Sequence, residues 1–194
     1  MTNHRFDADY FDRYYGSNPV RSTDEVERLA VAVHELVAWW GGDIRSMLEV
    51  GAGPGHWSSW YRRVHRGVRV VSTDVSEHAC RTHGHQRRDI SEWKPKRTFD
   101  LVVCMDVVQY LDDRRAARAL QHLTAATKKV LFFDALTIHD AAHTVDREAT
   151  DMDVHIRSGE WYRSRLSRGF VQVGVGLWVR KGSDLVLHEL ERLH

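Results

Sequence analysis

Cysteine is scarce in this 194-residue chain: Cys80 and Cys104 stand in separate segments, and no Cys-x-x-Cys occurs. That excludes a readable disulfide framework or thiolate metal site, and a reducing, cytoplasmic compartment is the simplest expectation. An excess of one charge is also missing, since 28 Lys plus Arg against 27 Asp plus Glu leaves a net +1. Such a balance argues against a chain that works as a whole on nucleic acid or an anionic membrane, though a local basic patch is compatible with it. No run approaches the ~20 apolar residues that span a bilayer. The polar, acidic start from Met1 to Tyr10 does not read as a secretory signal. A Gly-Lys-Ser/Thr phosphate loop, internal repeats and low-complexity segments are all absent. What is present is an ordinary globular balance, 42% hydrophobic and 28% charged, with enough material for one sizeable core. Thirteen histidines and seven tryptophans stand out.

Apolar runs alternate with helical patterns. The segment Phe6 to Gly16 is dense in aromatics without a clean period, and reads either as an arm packed on the body or as a lid over a site. Ser22 to Trp40 is the best helix: Ser22 and Glu25 make a capping box, and Val26, Leu29, Ala30, Val33, Val37 and Trp40 share one face. Further helices are expected over His56 to His65, Ser76 to His83, Arg114 to Thr127 (with Ala117, Leu120 and Leu123 inward) and Glu160 to Arg168. Strands are expected over Ser46 to Val50, Val68 to Asp74, Gln86 to Ile90, Phe99 to Asp106 and Lys129 to Asp134. Phe170 to Arg180 and Leu185 to Leu190 then read as two strands joined at Lys181-Gly182-Ser183. The alternation predicts βαβ units, hence a doubly wound α/β fold with a mostly parallel, Rossmann-like sheet of seven strands and a C-terminal antiparallel hairpin.

In such sheets ligands bind beyond the carboxyl ends of the strands. Gly51, Gly53, Asp74, Asp106 and Asp134 fall at such ends. Glycines let a ligand approach the backbone closely, the following helix offers unpaired N–H groups, and an acid at the end of the second strand suits a ribose diol. These features describe a nucleoside site. A dinucleotide fingerprint would need Gly or Ala where His56 stands, and Pro54 sits where the helix should begin, so a nicotinamide cofactor fits poorly.

The run Leu48-Glu-Val-Gly-Ala-Gly-Pro-Gly55 resembles motif I of the class I S-adenosylmethionine-dependent methyltransferases. Asp74, the pair Asp89-Ile90, the stretch Phe99 to Leu111 and the closing antiparallel hairpin extend the resemblance over about Arg45 to Arg192. The resemblance implies a sheet whose last strand is reversed and S-adenosylmethionine as cofactor. It places Gly51 and Gly53 along the methionine part, Glu49 beneath them, Asp74 (followed by Val75) on the ribose, Asp89 at the adenine amino group, Ile90 on the ring, and Met105 and Asp106 near the sulfonium. Residues 1–44 then form an aromatic arm and cap helix, and 45–194 the cofactor-binding methyltransferase domain, in one compact unit.

A sulfonium methyl is already activated, so positioning and exclusion of water are the main tasks left to the protein. Tyr14 and Tyr15 are candidates to close over the methionine end, and Gln109 and Tyr110 to line the acceptor pocket. If the acceptor must lose a proton, His139, His143, His155 and Tyr110 are the candidate catalytic groups. No defined metal-ligand pattern appears: Asp106 and Asp134 stand at the fourth and fifth strand ends, but Ala135 occupies the place of an amide ligand, so no metal is expected. The expected activity is methyl transfer to a small molecule. A non-catalytic cofactor-binding module and an RNA methyltransferase are the alternatives. Nucleic acid is the weaker partner, because Asp106-Val-Val-Gln109 lacks the Asn/Asp-Pro-Pro-Tyr grip on a flipped base. Oligomeric state is open.

Overall fold

The protein is described by a computed structural model covering residues 4–17 and 19–189. Short apolar runs become strands buried on both faces, because helices cover the sheet on either side. The strands are β1 (Ser46–Val50), β2 (Arg69–Asp74), β3 (Gln86–Arg87), β4 (Phe99–Met105), β5 (Thr127–Asp134), β6 (Phe170–Gly174) and β7 (Leu177–Arg180), in the sheet order β3-β2-β1-β4-β5-β7-β6. The first five run parallel, while β7 lies antiparallel to both β5 and β6. The chain order reverses across β1 and β4, so the crevice of the fold opens beyond their carboxyl ends.

The period of two sends alternate side chains to opposite layers. Leu48, Val102, Cys104, Leu131 and Phe133 join one core with Leu120, Leu123 and Leu166. Met47, Leu101, Val103, Val130 and Phe132 join the other with Val33, Val37, Trp57 and Tyr61. Each fully buried aliphatic side chain contributes roughly 1.5–3 kcal/mol. The helices are α1 (Ala8–Tyr15), α2 (Thr23–Trp39), α3 (His56–Val64), α4 (Glu77–His83), α5 (Asp113–Ala126), α6 (Ile138–His143) and α7 (Gly159–Leu166). The Ser22–Glu25 capping box and the Ser76 cap form as expected. Among the described residues no helix is long and apolar enough to cross a membrane.

Four local expectations are corrected. The aromatic segment is helical: Asp7 caps α1 by accepting a bond from the Tyr10 amide. The strand expected over Gln86 to Ile90 shortens to two residues, since the chain turns at Asp89, whose backbone oxygen accepts from Glu92 and Trp93. On α5 the inward alanines are Ala116 and Ala119, with Ala117 half-buried. The hairpin turns earlier than expected. Gly174, Val175 and Gly176 all adopt positive φ (96°, 49° and 74°), folding the run from 170 to 180 onto itself. Residues 185–188 form no strand; the Val186 amide donates to Trp40 and Leu185 packs at Gly42. Leu190 lies outside the described residues.

The long polar segment after β5 is fastened by Arg157, only 5% exposed. Its guanidinium donates to the carbonyls of Val108, Leu111 and His155 and to Asp113, and lies 4.7 Å from the Trp161 ring. It thereby ties the loop after β4 to the returning segment. Arg157→Met keeps the bulk but leaves two buried carbonyls, of Val108 and Leu111, and the part-buried His155 carbonyl without their donor. Unfolding free energy from urea denaturation should fall by about 2–4 kcal/mol, with loss of protection in amide exchange centred on residues 106–111.

Candidate active site

The site is built from the end of β1. Gly51, Gly53 and Gly55 have φ of 64°, 53° and 76°. A Cβ on Gly51 would come within 2.2 Å of a Val107 methyl carbon, so no larger residue fits there. Asp74, at the end of β2 and 7% exposed, accepts from the Gly53 amide through Oδ2 (2.9 Å) and from the Ser76 amide through Oδ1 (2.7 Å). Glu49, 4% exposed, accepts from the Ser58 amide at 3.0 Å and so supplies the cap that Gly55, lacking a side chain, cannot give α3. Burial, partly offset by the bonds from Ser58, pushes the Glu49 carboxyl up to about 7.

His85 completes the brace: its ring nitrogens bond Ser72 Oγ (2.9 Å) and the Gly53 carbonyl (3.0 Å). Since a carbonyl only accepts, Nε2 carries the proton toward Gly53. Burial holds this imidazole below its ordinary value. Sequence reasoning missed this residue, whose only signal was membership of a histidine-rich stretch.

Two chambers meet over the glycine loop. The smaller, about 110 Å³, is lined by Phe6, Phe11, Gly53, Asp74, Val75 and Ile90, among others. The larger, about 590 Å³, extends over Glu49, Trp57, Met105, Gln109 and Asp134 to the segment following α6. Tyr10, Tyr15, Val50, Gly51, Asp106 and Tyr110 line both. Tyr14 lines the larger chamber, and the Tyr15 hydroxyl stands over Gly53, 3.4 Å from where a Cβ would sit. The aromatic segment is thus a cover on the site as well as a packed arm.

Ten residues named as cofactor contacts (Tyr14, Glu49, Gly51, Gly53, Asp74, Val75, Asp89, Ile90, Met105 and Asp106) all line one chamber or both. Asp89 is the most heavily engaged: it accepts from the Ser91 amide and hydroxyl and pairs with Arg115 at 2.6 Å, which anchors the Ile90 turn to α5. Asp106 sits in the left-handed region at φ 57°, unusual outside glycine. Gln109, 2% exposed, donates to Asp106 and accepts from the Leu136 amide, joining the loops after β4 and β5.

The three candidate catalytic histidines are not brought to the chambers. His139 and His143 pair with each other on α6, 4.6 Å between ring centroids, and both are exposed; His155 is also exposed, and none of the three lines either chamber. Four-residue spacing put the first two on one helical face, but that face meets water. Tyr110 does line the site, yet its hydroxyl is 2.8 Å from that of Tyr10, and burial raises both phenols, so neither is ionised at neutral pH. The Tyr110 side chain forms part of the wall of both chambers. Sequence reasoning also missed Arg21, whose guanidinium bridges Asp106 (2.7 Å) and Asp134 (3.1 Å).

The donor set suits an adenosyl sulfonium. Among the described residues no cation pairs with the buried carboxylate on β2, the two glycines leave backbone open to close approach, and the buried Trp57 indole N–H and Thr150 hydroxyl on the larger chamber have no partner. Sheet order, reversed β7 and this seat define a class I S-adenosylmethionine-dependent methyltransferase. A family model described as a methyltransferase domain matches residues 21–171, and the chain belongs to that family. No curated protein matches the chain.

Among solved structures, magnesium protoporphyrin IX methyltransferase (ChlM) from Synechocystis PCC 6803 superposes with a TM-score of 0.60 at 17% identity, over 93% of this chain and 95% of that one. N-methyltransferase NodS from Bradyrhizobium japonicum WM9 gives 0.61 at 13% identity, over 93% and 100%. An O-methyltransferase family protein from Burkholderia thailandensis gives 0.57 at 13% identity, over 83% of this chain, which spans only 58% of its length. At these identities the likeness concerns the fold.

Glu49 carries a testable pH signature. Its carboxyl rises from an ordinary 4.5 to about 7 in the folded chain. It therefore contributes stability below about pH 4.5, and that contribution is lost as pH rises through about 7. In thermal melts, Glu49→Gln, which cannot titrate, should gain on the wild type steadily between about pH 5 and pH 8. A difference in Tm that stays constant across that range would contradict the raised Glu49 carboxyl.

Proposed function

We propose that the protein transfers a methyl group from S-adenosylmethionine to a small-molecule acceptor held in the larger chamber. The observation that carries this reading is the junction at Asp106: one chamber has the furnishings of a nucleoside seat, and the other adds space of small-molecule size. When bound, the cofactor supplies an activated methyl carbon on a positively charged sulfur.

The chain's own residues bind, orient and exclude water. Asp74 accepts the ribose hydroxyls while holding Gly53 in place. Val75 and Ile90 pack the adenine, with Asp89 fixing the Ile90 turn. Gly51 and Gly53 admit the methionine portion, above Glu49. Met105 and Asp106 stand at the junction, where a lone pair must approach the methyl in line. Tyr10, Tyr14, Tyr15 and Tyr110 shut water out from the side of α1. Positioning of this kind supplies on the order of 7–11 kcal/mol in favourable cases.

An RNA acceptor is disfavoured by charge. The larger chamber is lined by Asp140, Asp146 and Asp151 in addition to the acids already named, and phosphates would meet repulsion at its wall. A binding module without turnover is separated by product. Incubating the protein with labelled cofactor and a metabolite pool should release S-adenosylhomocysteine and label a small molecule, whereas a sensor would release none. Asp74→Ala should weaken cofactor affinity by about tenfold or more in calorimetry, the worth of a charge-assisted hydrogen bond. Unchanged affinity would remove the ribose assignment.

A further inference from the structure

We propose that the methyl acceptor is a cationic amine, seated at the Asp106–Asp134 carboxylate pair that Arg21 bridges. The inference rests on the methyltransferase reading and adds the acceptor's chemistry to it. Among the described residues, the larger chamber is lined by Glu49, Asp106, Asp134, Asp140, Asp146 and Asp151, against one guanidinium, Arg21, and one imidazole, His56, whose proton affinity burial lowers. An acidic lining alone would describe solvated turns and internal pairs: Asp140 and Asp146 do serve local turns, and Asp151 is paired with Arg5 at 2.9 Å.

The second observation is independent of the count. A nitrogen cation is already seated in the chamber: the Arg21 side chain, from the segment before α2, reaches the ends of β4 and β5 and places one nitrogen on each carboxylate. All three side chains are about two-fifths exposed, so this bridge faces the chamber and is open to exchange. The pair therefore has the spacing to hold a nitrogen cation, and it lies at the junction of the two chambers through Asp106. Tyr10, Tyr14 and Tyr110 add ring surface, and two of these rings already attract cations of the chain itself, Arg13 over Tyr14 at 5.2 Å and Arg5 over Tyr110 at 5.0 Å.

The chemistry closes. An ammonium reaching the pair must lose one proton to expose its lone pair. Asp134 is the suited acceptor, since partial burial and the neighbouring Asp106 charge raise its proton affinity and outweigh the opposing pull of Arg21. The freed nitrogen lone pair forms the new N–C bond while the C–S bond breaks, its electron pair staying on sulfur as a neutral thioether. The product is a methylated ammonium, and the positive charge has moved from sulfur to nitrogen. Asp134 then passes its proton to solvent.

The test uses three probes of one shape: phenethylamine, phenethyl alcohol and hydrocinnamate, titrated calorimetrically into the protein saturated with S-adenosylhomocysteine. The amine should bind about tenfold or more tightly than the alcohol, with the carboxylate weakest, and the preference should shrink between ~50 and ~500 mM salt. Arg21→Gln, whose melting temperature serves as the folding control, removes the tethered competitor. Amine affinity should then rise about threefold or more. Equal or tighter binding of the alcohol, preference for the carboxylate, no amine binding at millimolar concentration, or weaker amine binding in Arg21→Gln would each overturn the proposal. Failure to saturate with S-adenosylhomocysteine would instead strike the methyltransferase reading, so the two can fail separately.

Discussion

A loop of left-handed glycines held against the end of a buried strand is the constraint on which this structure depends. Such a loop has no side chains with which to fix itself, and every backbone amide it turns toward the protein needs an acceptor. Two carboxylates and an imidazole provide the fixing. Asp74 reaches across from β2 to the Gly53 amide, Glu49 stands under the first turn of α3, and His85 takes the Gly53 carbonyl. The arrangement costs desolvation, which the raised proton affinity of Glu49 records. What it returns is a rigid backbone cradle whose approach stays open, since Val107 already fills the only space a Cβ on Gly51 would take.

How much of this could be read beforehand follows the range of the interactions. Strands β1, β4 and β5 were legible because apolar runs ending in Gly or Asp are local signals, and so were the Ser22 and Ser76 caps. The candidate seat could be assembled from sequence because its glycines and acids fall at strand ends in chain order. The C-terminal hairpin was misread because Phe170 to Arg180 looks like one long strand; its turn rests on Gly174 and Gly176 around Val175, a weaker signal than Lys-Gly-Ser. The short helix α6 hid inside a polar stretch although Thr137 and Asp140 form a capping box. Arg157, Arg21 and His85 were not legible at all. Each acts across 30 or more residues, and nothing in a basic or imidazole side chain announces which distant carbonyl or carboxylate it will meet.

The histidines show the complementary failure. A four-residue spacing correctly predicts that His139 and His143 share a face, and their rings do lie together. Spacing fixes the face, whereas burial fixes which way that face looks, and α6 contributes no buried residue to either core. Chemistry inferred from residue type alone therefore went to solvent. The charged groups that line the larger chamber are mostly carboxylates.

That redistribution bears on how the two halves of the site cooperate. A sulfonium brought over Gly51 places positive charge beside Asp106, and the same carboxylate lies within 2.7 Å of the Arg21 guanidinium. On the proposed reading Asp106 would answer both cations while held in a left-handed conformation that a non-glycine residue adopts only when its surroundings demand it. The demand comes from the Asp134 carbonyl, which takes the Asp106 amide at 3.0 Å, and from Gln109, which spans to the loop after β5. Strand ends β4 and β5 are in this way clamped to each other at the point where the chambers meet. A carboxylate so fixed does not need to reorganise when charge moves past it, which is the condition under which electrostatic positioning is most effective.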